Sequence, residues 1–390
     1  MRIVHVSDCF APRLGGIESQ VRDLGTAQAR AGHAVHVLTA TAQDPDATAT
    51  GASRYRTSET VDEVLRVHRL ATPATFGVPM HPRGRFLVTR ALRLLKPDIV
   101  HVHAGVISPF AYHGARAALD LGLPTAISWH CVLAGAGNWL SAAARAGRWS
   151  VAPFAAAGVS ALVAGQVAAM LGRDRDEVQV VPNGLDLNPW RVSAENPEPE
   201  SESGVLRVVA SQRLAPRKRG TALVDVVARA HEELGRTDSG APRIHLTIAG
   251  DGPAAAAVRS RVPRLGLDDV VTMLGRVPRD LLPMLYRAQD VFLSPVRLEA
   301  FGLAALEARA AGLAVAGLAG SGLTEFVTDG REGLLADDDD DLARALVRLA
   351  AEPGLLGRIT THNRSRAPSL GWPDVLDRVD CLYDHALALR

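Results

Sequence analysis

Cysteine is scarce: Cys9, Cys131 and Cys381 are the only three, and no two are spaced as a CxxC pair or a metal knuckle. That scarcity removes a disulfide framework and makes a reduced compartment the default. No apolar run approaches the roughly 20 residues of a membrane span. The chain opens straight into β-branched apolar residues rather than a basic-then-apolar leader, so a cytoplasmic protein is expected. An excess of one charge is missing as well. The net charge is +1, which implies no global attraction to nucleic acid or membrane. Helical solenoid repeats and coiled-coil heptads are also lacking. What is present is 390 residues, 47% hydrophobic and 22% charged, enough for two domains with separate cores.

In the first half, Arg2 to Ser7 and Ala34 to Thr39 read as strands flanking a glycine turn, Gly15-Gly16, and an amphipathic helix from Glu18 to Ala31. Strand, glycine loop, helix, strand is a βαβ unit, and such units build parallel sheets that bind ligands at strand C-termini. Adjacent glycines let backbone amides approach a phosphate or sugar, though a plain tight turn explains them equally. Residues 41–60 read as a polar loop, Glu63 to Arg69 and Val159 to Ala164 as strands, and Gln166 to Leu171 as a helix. Pro82 to Leu95 forms a basic amphipathic helix. It is expected to pack Phe86, Leu87 and Leu94 on the sheet; the alternative is a patch for an anionic acceptor or a membrane surface. His101 and His103 (in IVHVH) and His130 (ending TAISWH) suggest a metal, but they are read as lying on separate strands without a carboxylate at ligand spacing. His130, at a strand's end, suits substrate contact; a satisfied core histidine is the other reading.

Residues 191–203 (RVSAENPEPESES) carry no apolar core and read as the linker. Beyond it the βα pattern restarts, giving two Rossmann-like domains. Gln212 to Gly220 is a basic loop following a strand, where Arg213 offers a bidentate fork and Lys218 a point charge, a match to a diphosphate. Glu299 and Glu307 flank a Phe301-Gly302 step. On an ideal helix eight residues rise about 12 Å, so the pair is expected to hold two ends of a long ligand. Phe301, Gly302 and Leu303 add amides at a helix start, Glu307 suits ribose hydroxyls, and Glu299 suits hydroxyls beyond the phosphates. The composite ligand is a nucleotide diphosphate sugar. The acidic run Asp337 to Asp341 precedes a helix and reads as its cap.

Together these blocks resemble the retaining glycosyltransferases of family GT4, with the GT-B fold. The likeness rests on Gly15-Gly16, HVH, SWH, VPNGLD at 181–186 and RLAPRK at 213–218. It extends through AGDGP at 249–253, EAFGLAALEA from Glu299, and SGLTEFVTDGREGLL at 321–335. The resemblance implies an α/β GT-B chain with two Rossmann-like domains facing across a cleft. Residues 1–190 would bind the acceptor and 204–371 the donor, and a helix at 372–390 would pack back on the first domain. Arg213 and Lys218 would bind the diphosphate, Glu307 the ribose, Glu299 the donor sugar, and Arg276 would lie near the base. Gly15 and Gly16 would approach the diphosphate and His130 the donor sugar, with Phe301, Gly302 and Leu303 giving main-chain contacts. One departure is Gln212, where a glycine often precedes the arginine.

The implied partners are a nucleotide-sugar donor and a small-molecule, glycan or lipid-linked hydroxyl acceptor, with no cofactor, no metal and no nucleic acid. Peripheral membrane contact through 82–95 is permitted. The alternatives are a GT-B sugar-nucleotide epimerase or a non-catalytic nucleotide-sugar-binding protein. A nicotinamide enzyme is disfavoured because Gly15-Gly16 does not continue as GxGxxG.

Overall fold

The computed structural model describes residues 1–13, 15–42, 56–71, 81–133, 137–191 and 204–389. The chain divides into two compact units. The first domain is Met1–Leu185 with Leu370–Arg390, and the second is Asp186–Ser369. The division thus falls before 190: Trp190 is buried in the second domain, its ring 5.6 Å from that of Tyr286. Residues 192–203, most of the expected linker, lie outside the described residues.

In the first domain the elements run β1 (Arg2–Ser7), α1 (Gly16–Arg30), β2 (Ala34–Thr39), β3 (Arg56–Val61), β4 (Leu65–Leu70) and α2 (Gly84–Leu95). They continue with β5 (Ile99–Ala104), α3 (Pro109–Asp120), β6 (Thr125–Trp129), α4 (Gly137–Ala146), β7 (Ala155–Gly158), α5 (Ala161–Leu171) and β8 (Val178–Val180). The sheet order is β3-β4-β2-β1-β5-β6-β7-β8. Every pairing is parallel except the β3–β4 hairpin.

The second domain holds β9 (Leu206–Ser211), α6 (Gly220–Leu234), β10 (Ile244–Ala249), α7 (Ala255–Arg264), β11 (Val271–Gly275) and α8 (Leu282–Arg287). After these come β12 (Val291–Ser294), α9 (Leu303–Ala310), β13 (Ala314–Leu318), β14 (Gly333–Ala336), α10 (Asp339–Ala351) and α11 (Leu355–Ser365). Its sheet, β11-β10-β9-β12-β13-β14, is wholly parallel. The chain then returns to the first domain as α12 (Trp372–Ala388).

Parallel strands are covered on both faces, so they read as near-continuous apolar runs. The second domain follows that rule: Val208, Ile248, Leu293 and Ala316 from the sheet pack with Leu223, Val227 and Leu346 from helices. In the first domain α12 buries Val375, Val379, Leu382 and Tyr383 against Ile3, Ile99 and Ala126 of the sheet and Leu24 of α1.

Several local expectations are corrected. Arg56–Val61 is a strand, where a polar loop was read; its pairing with β4, a tertiary effect, supplies the hydrogen bonds that local composition does not announce. The apolar run from Val159 is not a strand. The strand ends at Gly158, and Ser160 caps α5 by accepting from the Val163 amide at 3.2 Å. Phe86 and Leu94 do not pack on the sheet: they are 64% and 74% exposed, while Leu87, Val88 and Leu92 are buried. In the acidic run Asp337 to Asp341, Asp338 caps α10, accepting from the Asp340 and Asp341 amides at 2.9 Å.

Candidate functional site

In an open parallel sheet, ligands bind where the strand order reverses, beyond the carboxyl ends of the two central strands. In the second domain that point lies between β9 and β12. The basic loop leaves β9 and the Glu299 segment leaves β12, so the topology itself brings them together.

The geometry there is specific. The Lys218 ammonium lies 2.5 Å from a Glu299 carboxylate oxygen, both side chains being partly buried. Arg219 is turned away from that pair: it grips Asp339 at 2.6 Å and donates to the Pro295 carbonyl at 2.7 Å, tying the loop to α10 and to the β12 exit. Gln212 closes the loop from within, donating to the Lys218 carbonyl at 3.0 Å. Where the resemblance would allow glycine, this chain has therefore installed a brace. Arg213 stands exposed on the same loop. The chain has two lysines, Lys96 and Lys218, and makes its other cations from arginine. A compact ammonium at 218, in a sequence that otherwise chooses guanidinium, is the signal composition alone offered.

The AGDGP segment is explained by packing rather than by ligand contact. A Cβ at Gly250 would sit 1.9 Å from the Gln212 carbonyl oxygen, and one at Gly252 would sit 2.6 Å from that of Leu214. The Leu214 amide also donates to the Asp251 carbonyl at 2.9 Å. These residues hold the cationic loop from behind.

Glu299 is not on a helix, so the expected helical spacing between it and Glu307 does not hold. α9 begins at Leu303, with Gly302 as its N-cap in a left-handed conformation (φ 94°) that favours glycine. Any Cβ at Gly302 would also meet Leu323 at 2.4 Å. The break frees Glu299 to lie on the approach to the helix, beside Lys218, instead of two turns from Glu307. Phe301 is buried against Phe326, ring centres 5.4 Å apart, and anchors the turn. The first amides of α9, from Leu303 onward, form a helix N-terminus suited to an anion.

Glu307 is buried on α9 and its carboxylate lies 3.2 Å from the Arg279 guanidinium. Sequence reasoning missed Arg279; nothing in GRVPRD distinguishes it from Arg276, which is exposed beyond β11. Tyr286 is buried nearby. Burial first, and then the Glu307 charge, hold its hydroxyl well above the ordinary range.

Gly15, Gly16 and His130 belong to the first domain. Gly15 precedes α1 and Gly16 begins it, and a Cβ at Gly16 would meet nothing within 4 Å. His130 follows β6 directly, its amide bonded to the Ala104 carbonyl at 2.9 Å. Its ring is half-buried and lies 3.0 Å from the His103 Nδ1. Burial pushes its pKa down to about 4, with Asn183 pulling weakly the other way.

His101 and His103 share β5 instead of lying on separate strands, and His5 of β1 pairs in register with His101. Ring nitrogens of His5, His101 and His103 lie within 4.8 Å of one another. Those nitrogens are already engaged, with Gln28, Tyr383, Ser128 or another histidine, so a cation would have to displace existing hydrogen bonds.

Comparison with known proteins fits this layout. Residues 14–189 match the family described as Glycosyltransferase Family 4, and residues 193–366 match Glycosyl transferases group 1. The chain is 25% identical to a phosphatidylinositol N-acetylglucosaminyltransferase chain of Arabidopsis thaliana, over 99% of its own length and 82% of that protein's. It is 34% identical to the D-inositol 3-phosphate glycosyltransferase of Thermomonospora curvata, over 57% of this chain and 54% of that one. That match spans about half the length of the relative. Among solved structures, the sucrose-phosphate synthase of Thermosynechococcus elongatus superposes with a TM-score of 0.75 at 20% identity, covering 100% of both chains. Anabaena Alr3699/HepE in complex with UDP and glucose gives 0.71 at 17% identity, covering 97% and 98%. At such identities the structural likeness shows the fold, which is GT-B.

Proposed function

Because the chain belongs to the glycosyltransferases, through a Family 4 half and a group 1 half, we propose that it moves a hexosyl unit, with retention, from a nucleotide-diphosphate sugar to a hydroxyl acceptor without a metal. The observation that carries the reading is the Lys218–Glu299 contact at the strand-order reversal of the second sheet, beside the start of α9. An ammonium for the diphosphate and a carboxylate for sugar hydroxyls are adjacent, as phosphate and sugar are adjacent in the donor.

In this reading Lys218, Arg213 and the α9 amides stabilise the negative charge that grows on the leaving diphosphate. Phe301, Gly302 and Leu303 shape that turn. Glu299 holds donor hydroxyls and Glu307 the ribose, while Arg276 lies toward the base. His130 is assigned to the donor sugar, and Gly15 and Gly16 to the diphosphate. The C1–O bond to phosphate breaks as the C1–O bond to the acceptor forms on the same face. The acceptor proton passes to the departing phosphate oxygen, so no protein nucleophile is required. The Anabaena structure's UDP and glucose support a UDP-hexose donor. Relatives named for phosphatidylinositol and inositol 3-phosphate support a polyol hydroxyl as acceptor.

Incubation with a panel of UDP- and GDP-sugars and polyol acceptors, in excess chelator, tests this. A new α-linked glycoside is expected from an α-linked donor. Free sugar alone, an epimerised donor, or strict metal dependence would each overturn the corresponding part of the reading.

A further inference from the structure

The face of the first sheet that α12 covers is apolar at Ile3, Ile99 and Ala126 but turns polar toward the carboxyl ends of β1 and β5, where a parallel sheet would be expected to stay apolar. His5, His101 and His103 project from it, 0%, 1% and 2% exposed, with Gln28 of α1 and Tyr383 of α12 buried over them. The contacts join head to tail. The Gln28 Oε1 faces His5 Nε2 at 2.7 Å, His5 Nδ1 faces His103 Nε2 at 2.9 Å, and His103 Nδ1 faces His130 Nε2 at 3.0 Å. The other end of the amide donates to the Tyr383 hydroxyl at 2.9 Å, and that oxygen lies 3.0 Å from His101 Nδ1.

A neutral imidazole carries one N–H and one lone pair. Burial holds His5 at about 4 and His103 well below its ordinary value, so neither is charged near neutrality. Each ring in the row therefore donates to one neighbour and accepts from the other. Placing one hydrogen places all of them. An amide oxygen only accepts, so in the orientation present His5 carries its hydrogen on Nε2. His103 must then do the same, and His130 as well, which leaves the His130 Nδ1 as an acceptor for a hydroxyl. Turning the Gln28 amide over would reverse every hydrogen in the row, and His130 with them.

We propose that His5, His103 and Gln28 are positioning residues that fix which ring nitrogen of His130 carries its hydrogen, with Tyr383 of the C-terminal helix holding the amide that sets the row. The proposal rests on the reading of His130 as a donor-sugar contact. It gives α12 a role beyond covering the sheet: a side chain more than 250 residues downstream of His130 bonds the amide whose orientation sets the hydrogen-bonding polarity at the end of β6. The functional consequence is that a sugar hydroxyl meets one defined group, an acceptor, rather than a mixture of acceptor and donor.

Nitrogen-15 NMR of the histidine rings in the full chain separates a hydrogen-bearing nitrogen from a bare one and reads this directly. The expected result is hydrogen on Nε2 in His5, His103 and His130, with His130 becoming a mixture in Gln28→Met and kcat for transfer falling about tenfold, the size of one lost neutral hydrogen bond. Tyr383→Phe retains the Gln28 amide and is expected to give a smaller change in the same direction, which serves if Gln28→Met does not fold. Unlike tautomers among the three rings in the wild type, or an unmixed His130 at full kcat in both variants, would overturn the proposal. His130→Ala is the separate control. Full turnover in that variant, with the three wild-type tautomers matched, would remove His130 from the donor site and reduce the row to a structural element, overturning its positioning role.

Discussion

At the reversal of strand order the two sheets carry opposite chemistry. The first domain sets buried imidazoles on β1 and β5 and a half-buried one at the end of β6, while the second sets a partly exposed ion pair between the loops leaving β9 and β12. The parallel strand order around the reversal is the same, so the difference lies in what each face must do. Imidazoles buried to neutrality carry no charge for a phosphate but hold a hydrogen-bonding direction. A lysine and a glutamate only partly buried offer a diphosphate and its sugar a cationic and an anionic partner. A helix returning from the far end of the sequence makes the first possible, since α12 provides the cover that dries those rings.

The largest expected effect sharpens the charged side of the contrast. Lys218→Ala or Glu299→Ala should lower kcat for transfer by a hundredfold or more, on the order of losing one preorganised charge partner. Melting should barely change, because an incompletely buried pair adds little stability. Lys218→Arg should recover only part of the rate, since a guanidinium does not replace a point charge. Wild-type turnover in Lys218→Ala would remove the cationic loop from the chemistry.

Next in size is a backbone test confined to the second domain. Gly250→Ala puts a Cβ against the Gln212 carbonyl at 1.9 Å, at φ 157°, and should cost about 2–3 kcal/mol. Hydrogen exchange should show the loosening in the second domain and not in the first; equal loosening of both would break the separation between them.

Acid should separate the domains in the other order. In the first, burial lowers His5, His36 and His130 to about 4, and His68, His101 and His103 are lowered too. The unfolded chain takes up protons at 6.5 that the folded rings refuse, so this stability is complete above pH 6.5 and is lost as pH falls toward about 4. Asp8 and Asp380 oppose it: burial raises the Asp8 carboxyl to about 6, despite amide bonds from Phe110 and Ala111, and raises that of Asp380 on α12, and both favour the folded state on the acid side. Six imidazoles outweigh two carboxyls. In the second domain burial lowers His245. The Asp339 carboxyl, held below its ordinary value by Arg219, gives up its contribution only below pH 3.8. Exchange protection measured between pH 7 and 4 should therefore fall first in the first domain.

The smallest effect concerns α2. Phe86→Ser should change stability by no more than about 0.5 kcal/mol, because the ring is already in solvent. A loss of several degrees in melting temperature would show that the ring is covered in solution.

The βαβ alternation, the second start after 203, the cationic loop and the carboxylates at 299 and 307 were legible from the sequence because each rests on short-range pattern: apolar runs of strand length, glycines at turns, charges after strands. The resemblance to GT4 added roles to those positions. Less legible were features made by partners distant in the chain. Arg279 looks like any other arginine until it meets Glu307. Phe86 fits an apolar helical stripe, yet α2 turns it outward. Gln212 is an oddity in a motif until it donates to the Lys218 carbonyl.

The sequence by itself determined the fold class, the order of the two domains and the residue types available for a diphosphate and its sugar, since strand length, turn chemistry and local charge are properties of neighbouring residues. Only the tertiary structure decided that Glu299 stands off the helix beside Lys218, and that four histidines from β1, β5 and the end of β6 join Gln28 and Tyr383 in one network, buried except at His130. Register and helix packing bring together side chains up to hundreds of residues apart, and no periodicity within a single strand or helix encodes that meeting.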